Sequence, residues 1–502
     1  MAKKVQHARA ANDAGLSVVV IGAGISGILL GIKLRERGIH DFVILEKGAT
    51  LGGTWRDNMY PGAACDVAAH SYVYSFAPNP AWKSRYAKAP DIWRYYNDCA
   101  RRYGVLPHIR YGQEVVSADF RDDRWEVRTA DGGVFVADVV IAACGRLHHP
   151  MMPEITGRDR FAGPSFHTSR WDRSLDLRGK RLGVIGTGST ATQIVAALAG
   201  EVGGLSLFQR TPQWVFPVAD TPIPWWKRLA YRFLPGHASR YYYQLQRETE
   251  TRGRAATGDR DARAARDRQC TDALATVRDP ELRARLTPDY EVGCKRLVMS
   301  GTFYEAVQKP GVQVVTDAID HITENGIVTR DGTLHEVDVL AYATGFDAHA
   351  YLRPMRITGE DGITLDQVWR DLPLAYRSIA IPHMPNLFLV NGPYSPGGSA
   401  SVVGIVEAQV DYILKLLDRI EQADVAIVPR EDAARAWLDD VREQARGSVW
   451  GTGGCQSWYL DKTGTPSIDP TPLSELVTQL ATVNLADYRE RPRAPVRLGA
   501  AA

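Results

Sequence analysis

Two glycine-rich turns carry the clearest chemistry in this chain. Gly22-Ala-Gly24-Ile-Ser-Gly27 follows the β-branched run at 17–21, and Gly186-Thr-Gly188-Ser-Thr-Ala191 follows the apolar run at 181–185. A helical pattern succeeds each turn, at 28–37 and at 193–199. Strand, tight turn and helix in this order form the dinucleotide-binding fingerprint. The first glycine makes the turn, the second lets a pyrophosphate approach the backbone, and the third lets helix and strand pack closely. The helix N-terminus then offers unpaired N–H groups and a positive dipole end to the phosphates. Gly22, Gly24 and Gly27, with Gly186, Thr187, Gly188, Ser189 and Ala191, are therefore candidate cofactor-binding positions.

One position separates the two copies. The residue 24 places after the first glycine is Glu46 in the first copy and Arg210 in the second. A carboxylate there accepts hydrogen bonds from a free ribose and repels a 2′-phosphate, whereas a guanidinium grips that phosphate with paired, charge-assisted bonds. The first fold is thus predicted to take a cofactor with an unphosphorylated ribose, and the second to take NADP.

The elements that must position these turns are spread along 502 residues, too many for one hydrophobic core. The apolar run at 337–343 and the following Thr344-Gly345-Phe346-Asp347 bring the chain back toward the first domain. A strand at 386–390, a loop at 394–399 and a helix beginning near Ser401 then complete it. The predicted architecture is α/β, with two Rossmann-like domains, the NADP domain inserted into a split first domain, and a helical insertion besides. The boundaries read as a flexible tail over 1–15, the first domain over 16–150 and 344–502, the NADP domain over 151–214 and 291–343, and the helical insertion over 215–290. That insertion carries Trp225-Trp226, Tyr241-Tyr242-Tyr243 and an arginine-rich stretch at 252–268 interleaved with Asp259, Asp261 and Asp267. Such interleaving predicts solvated helices laced with ion pairs, a lid or subdomain, in preference to a polyanion site.

Bulk properties exclude several classes. Lys and Arg number 60 against 58 Asp and Glu, so no strongly basic nucleic-acid-binding domain is expected. No segment approaches the ~20 apolar residues of a membrane span, and no membrane insertion is expected. The polar, Ala-rich stretch at 1–15 does not read as a secretion signal. Cys65, Cys99, Cys144, Cys270, Cys294 and Cys455 include no C-x-x-C pair, so neither a zinc site nor a redox disulfide is suggested. Scattered thiols fit a reducing, cytoplasmic compartment. His148-His149 lacks a third ligand, and no metal is expected.

Between the two folds lies Phe161-Ala-Gly163-Pro-Ser-Phe-His167-Thr168-Ser-Arg-Trp171-Asp172. Physically this is a loop with one histidine and one tryptophan. It resembles, at every defined position, the FxGxxxHTxxW(P/D) fingerprint of type I Baeyer–Villiger monooxygenases, class B flavoprotein monooxygenases. Gly52-Gly53-Thr54-Trp55, Tyr60-Pro61-Gly62, Asp66, Gln209-Arg210-Thr211-Pro212 and Cys294-Lys295-Arg296 match further segments of that family. The tail and much of the helical insertion lie outside the resemblance.

The resemblance implies FAD in the first fold, NADPH in the second, and a reaction with O2 that inserts one oxygen beside a ketone carbonyl. The product is an ester or lactone, formed through a C4a-peroxyflavin. It implies Arg296 as the active-site cation and Asp66 as its carboxylate partner. Lys295 and Thr211 would join Arg210 around the NADP 2′-phosphate; Thr54, Trp55, Tyr72 and Val115 would line FAD beside Glu46; and Trp458 would cover the nicotinamide. His167 would brace the joint between domains without transferring protons. The residues alone leave simpler roles open: a salt bridge for Arg296, a turn for Asp66, core packing for Trp55 and Tyr72. Two other functions stand beside this one, a sulfide or amine oxygenase and a non-catalytic flavin-binding redox sensor. Thr168 and Trp171 favour the ketone branch over the HSxxY form of amine and sulfide oxidisers. The expected partners are a small ketone and O2, and the chain is expected to be a monomer or homodimer.

Overall fold

The computed structural model describes residues 5–7, 15–398 and 401–493. The remainder of the expected tail at 1–15 and the end of the 394–399 loop lie outside the described residues. The first glycine turn sits at the carboxyl edge of a five-stranded parallel sheet. Its order is Leu387–Leu389, Val139–Ala142, Val18–Ile21, Phe42–Glu46 and Ile109–Tyr111. Val18, Val19 and Val20 are fully buried, as a continuous β-branched run in a sheet covered on both faces requires. One sheet therefore draws strands from near both ends of the chain, which makes the first domain split in sequence.

A second parallel sheet repeats the plan with the order Val312–Val315, Gly204–Phe208, Arg181–Ile185, Val339–Tyr342 and Ser165–His167. It lies wholly within 165–342, nested inside the first domain. The two chain crossings between the domains run side by side. Pro150 and Phe346 form an antiparallel bridge, Met151 N–H donates to Gly345 O at 2.9 Å, and Asp347 N–H donates to His149 O at 2.9 Å.

A third sheet, antiparallel across its three middle strands and parallel at both edges, has the order Val5–His7, Val134–Ala137, Arg124–Thr129, Val115–Arg121 and Arg356–Thr358. Val5–His7 is a strand where the sequence reading expects a floppy tail. It pairs in parallel with Val134–Ala137 and so covers what would otherwise be an open sheet edge. The 215–290 region is helical, with Trp225–Phe233, His237–Gly253, Arg260–Ala275 and Pro280–Arg285. Asp259 caps the third of these by accepting from Ala262 N–H, and Asp279 caps the fourth by accepting from Glu281 N–H. No helix among the described residues is long and apolar enough to cross a membrane.

One expectation is corrected. Cys294 and Cys455 form a disulfide, with Cα atoms 6.0 Å apart, while Cys65, Cys99, Cys144 and Cys270 are free. A search for closely spaced pairs cannot see two thiols separated by 161 residues. The bond ties the Lys295-Arg296 loop to the C-terminal segment that carries Trp458.

Candidate active site

Both glycine turns open into one cavity of about 1440 Å³ between the two sheets. The helix Ile25–Glu36 starts at Gly24 and the helix Ser189–Leu198 starts at Gly188, and neither end is capped by a side chain. Their N-terminal amides are therefore left to the cavity. Gly22 has φ +101°, and a methyl group added there would stand 2.8 Å from Ala143 O. Gly188 has open space where a Cβ would be, so a side chain there would project into the cavity. A pyrophosphate fits both turns on these grounds.

All sequence-predicted site residues line this cavity except Gly27 and Ala191. Those two serve packing. A Cβ on Gly27 would lie 1.9 Å from Gly22 O, whereas Ala191 is accommodated in the second copy at 1% exposure.

Glu46, at the end of its strand, is almost fully buried. One carboxylate oxygen accepts from Ala23 N–H at 2.8 Å, and the other accepts from Gly48 N–H at 2.7 Å and Arg56 Nη1 at 2.6 Å. Of roughly four acceptor positions on a carboxylate, one is left for a ribose hydroxyl. Nearby, Trp55 Nε1 donates to the Tyr72 hydroxyl at 3.1 Å, with the rings nearly perpendicular. Thr54 begins the short helix that carries Trp55, and Val115 begins a strand on the same wall.

The two residues with implied catalytic roles meet across 230 positions of sequence. Arg296 Nη2 donates to Asp66 Oδ2 at 2.7 Å. Asp66, then the Tyr459 hydroxyl, hold the guanidinium pKa above its ordinary value against the cost of burial. The Tyr60-Pro61-Gly62 turn explains how Asp66 comes so close to the second domain. Gly62 has φ +83°, and a Cβ there would lie 2.5 Å from Gln193 O of the second nucleotide helix. Tyr60 OH donates to Gln193 Oε1 at 2.9 Å, and Gln193 Nε2 donates to Ala64 O at 3.0 Å.

Arg210 and Lys295 also line the cavity, close enough for the charge of one to act on the other. Burial, and then the charge of Arg210, lower the Lys295 pKa. Its ammonium lies 4.8 Å over the Tyr290 ring. Among the described residues neither cation makes a salt bridge. Thr187 Oγ1 donates to Thr211 O at 2.8 Å, fixing the end of the strand that presents Arg210. Two adjacent cations without a bonded carboxylate, beside an uncapped helix end, suit a second phosphate in addition to the pyrophosphate.

Trp458 is 36% exposed at the cavity mouth, and its carbonyl meets His349 Nε2 at 3.0 Å. The Arg146 guanidinium lies 5.6 Å from its ring and 5.5 Å from that of Tyr351. Arg56, Arg146 and Gln193 are site residues that the sequence reading missed. Only Arg56, directly after the GGTW motif, carried a local signal. His167 lies at the joint, with Nε2 2.9 Å from Gly345 O and Nδ1 2.8 Å from Ser169 Oγ. Burial lowers its pKa. His148 and His149 line the cavity with rings 4.0 Å apart. Among the described residues no group of three His, Cys, Asp or Glu could hold a metal ion.

Residues 19–225 match the family model described as pyridine nucleotide-disulphide oxidoreductase. The chain is 44% identical to an uncharacterised monooxygenase of Mycobacterium tuberculosis, over 96% of this chain and 97% of that protein. It is 39% identical to a Baeyer–Villiger monooxygenase of Streptomyces coelicolor, over 97% of this chain and 94% of the relative. The chain belongs to the Baeyer–Villiger monooxygenase family. Among solved structures, this family member is similar to closed cyclohexanone monooxygenase, at 30% identity and a TM-score of 0.85, covering 96% of this chain and all of the other. Cyclohexanone monooxygenase from Rhodococcus sp. Phi1 bound to NADP+ gives the same TM-score at 29% identity, again with 96% and full coverage.

Proposed function

We propose that this Baeyer–Villiger family member binds FAD at Gly22, Gly24 and Glu46 and NADPH at Gly186, Gly188, Arg210, Thr211 and Lys295. With O2 it inserts one oxygen atom beside the carbonyl of a small ketone, giving an ester or lactone. FAD, when bound, supplies the oxygen-activating chemistry with electrons drawn from NADPH. One observation carries the reading: Arg296, held by Asp66, stands in the same cavity as both nucleotide turns.

The chain's own contribution is position, charge and dryness. Arginine keeps its proton at any physiological pH, so Arg296 can stabilise negative charge on oxygen without acting as an acid. Asp66 and Tyr459 fix the direction of the guanidinium. Arg210 and Lys295 select the phosphorylated dinucleotide, and Trp458, backed by Arg146, restricts entry of water at the mouth.

Arg296→Ala tests the reading. Anaerobic flavin reduction by NADPH is expected to persist, while ester formation falls at least ~100-fold, as for loss of one electrostatic stabiliser. Ester production at close to the wild-type rate would overturn the role given to Arg296.

A further inference from the structure

Between 221 and 247 the chain carries five lysines and arginines and no aspartate or glutamate, although its overall formal charge is only +2. The helix Trp225–Phe233 opens this stretch, and its apolar face points away from the protein. Trp225 is 66% exposed, Trp226 55% and Phe233 68%, with Leu229 exposed beside them. At 3.6 residues per turn these four fall within an arc of roughly 100°. The opposite side holds the helix down. Tyr231 stacks on Tyr241 at 5.3 Å and packs against His70 at 4.7 Å.

The orientation is fixed, because the segment before the helix is strapped to the first domain. Ile223 N–H donates to Lys83 O at 2.7 Å, Arg85 N–H donates to Thr221 O at 3.0 Å, and Ser84 bridges Pro222. Cations rim the apolar face. Lys227 lies 5.4 Å over the Trp226 ring and Arg232 5.4 Å over the Phe233 ring. On the next helix, Arg240, Arg247 and Arg252 line a shallow hollow with Arg85, and Glu248 is its only carboxylate.

We propose that this face docks on an anionic lipid bilayer, with the Trp225–Phe233 helix lying in the plane of the interface. Tryptophan and phenylalanine settle at the boundary between headgroups and acyl chains, while lysine and arginine reach anionic headgroups. A second copy of the chain fits less well, since two-fold pairing would set this uniformly basic stretch against itself. The contact is peripheral and leaves the cavity open.

Flotation of the full-length, FAD-loaded protein with lipid vesicles tests the proposal. The protein is expected to float with phosphatidylglycerol-rich vesicles, and ~10-fold less with pure phosphatidylcholine or at high salt. Trp225→Ser/Trp226→Ser/Phe233→Ser should lower binding ~10-fold or more, with flavin content and NADPH oxidation unchanged. Lys227→Glu/Arg232→Glu alters only exposed positions and should remove the preference for anionic lipid, which covers any folding defect in the serine variant. Absence of flotation, or flotation unaffected by both variants, would overturn the proposal. So would a dimer in sedimentation equilibrium that Phe233→Ser dissociates, because the face would then be a self-interface.

Discussion

Tyr60 of the first domain donates a hydrogen bond to Gln193 on the helix that begins the second nucleotide site. Gln193 returns one to Ala64 O, so a single side chain is pinned at both ends of its amide. Tyr60→Phe removes one neutral bond and should cost about 1 kcal/mol, whereas Gln193→Ala leaves two partners unsatisfied and should cost about 2–3 kcal/mol. Denaturant unfolding measures both. Two variants as stable as the parent chain would remove this contact from any account of domain docking.

The two glycine turns differ at their third position, and they should differ in tolerance. Gly27→Ala places a methyl 1.9 Å from a backbone carbonyl and should abolish flavin retention. Ala191→Gly should keep NADPH binding and cost only about 1 kcal/mol in helix propensity. Absorbance of the purified variants at flavin wavelengths, with NADPH titration, distinguishes the two. A yellow, stable Gly27→Ala protein contradicts the packing described for that turn.

Arg210 and Lys295 are assigned to the extra phosphate of NADPH. Arg210→Ala and Lys295→Ala should each raise KM for NADPH ~10- to 100-fold, the worth of one charged hydrogen bond. KM for NADH and kcat should change little. Steady-state kinetics with both nucleotides checks the assignment, and an equal loss for NADH would place these cations elsewhere.

Acid should unfold the protein partly through two histidines, the buried His70 and the half-buried His148. Burial lowers the His70 pKa to about 4, and burial together with neighbouring His149 lowers that of His148 to about 4. Each stays neutral when folded but takes a proton near pH 6.5 when unfolded. Their stability contribution is thus complete above pH 6.5 and is lost as the pH falls toward 4, at about 1.4 kcal/mol per pH unit for each group. His70→Phe should flatten the dependence of the unfolding free energy over that window. An unchanged slope would show that His70 is already protonated or exposed.

The parts of this architecture that were legible in the sequence are those whose physics is local. A glycine turn needs its strand before it and its helix after it, so Gly22 and Gly186 announce two nucleotide domains within a dozen residues each. The paired 24-residue offsets to Glu46 and Arg210 carry over directly into the cavity wall. The antiparallel sheet was not read, although Asp122 and Asp123, with φ of 51° and 58°, form the tight hairpin joining two of its strands. Left-handed backbone at two aspartates is available to the chain, but nothing in the local spacing demands it. Arg296 with Asp66 and Cys294 with Cys455 are bonds between distant segments. Only a family resemblance suggested the first pair, and no local rule could have suggested the second.

The placement of the two chain crossings has a mechanical result. Pro150 and Phe346 are bridged, so the two main-chain crossings between the nucleotide domains pass through a single spot. Were these the only covalent links they would act as one axle, but the Cys294–Cys455 disulfide fastens the Lys295-Arg296 loop to the C-terminal segment as a second anchor. With both anchors in place the inner domain neither swings freely nor translates away. Reduction of that one bond would leave the fused crossings as the single remaining axle.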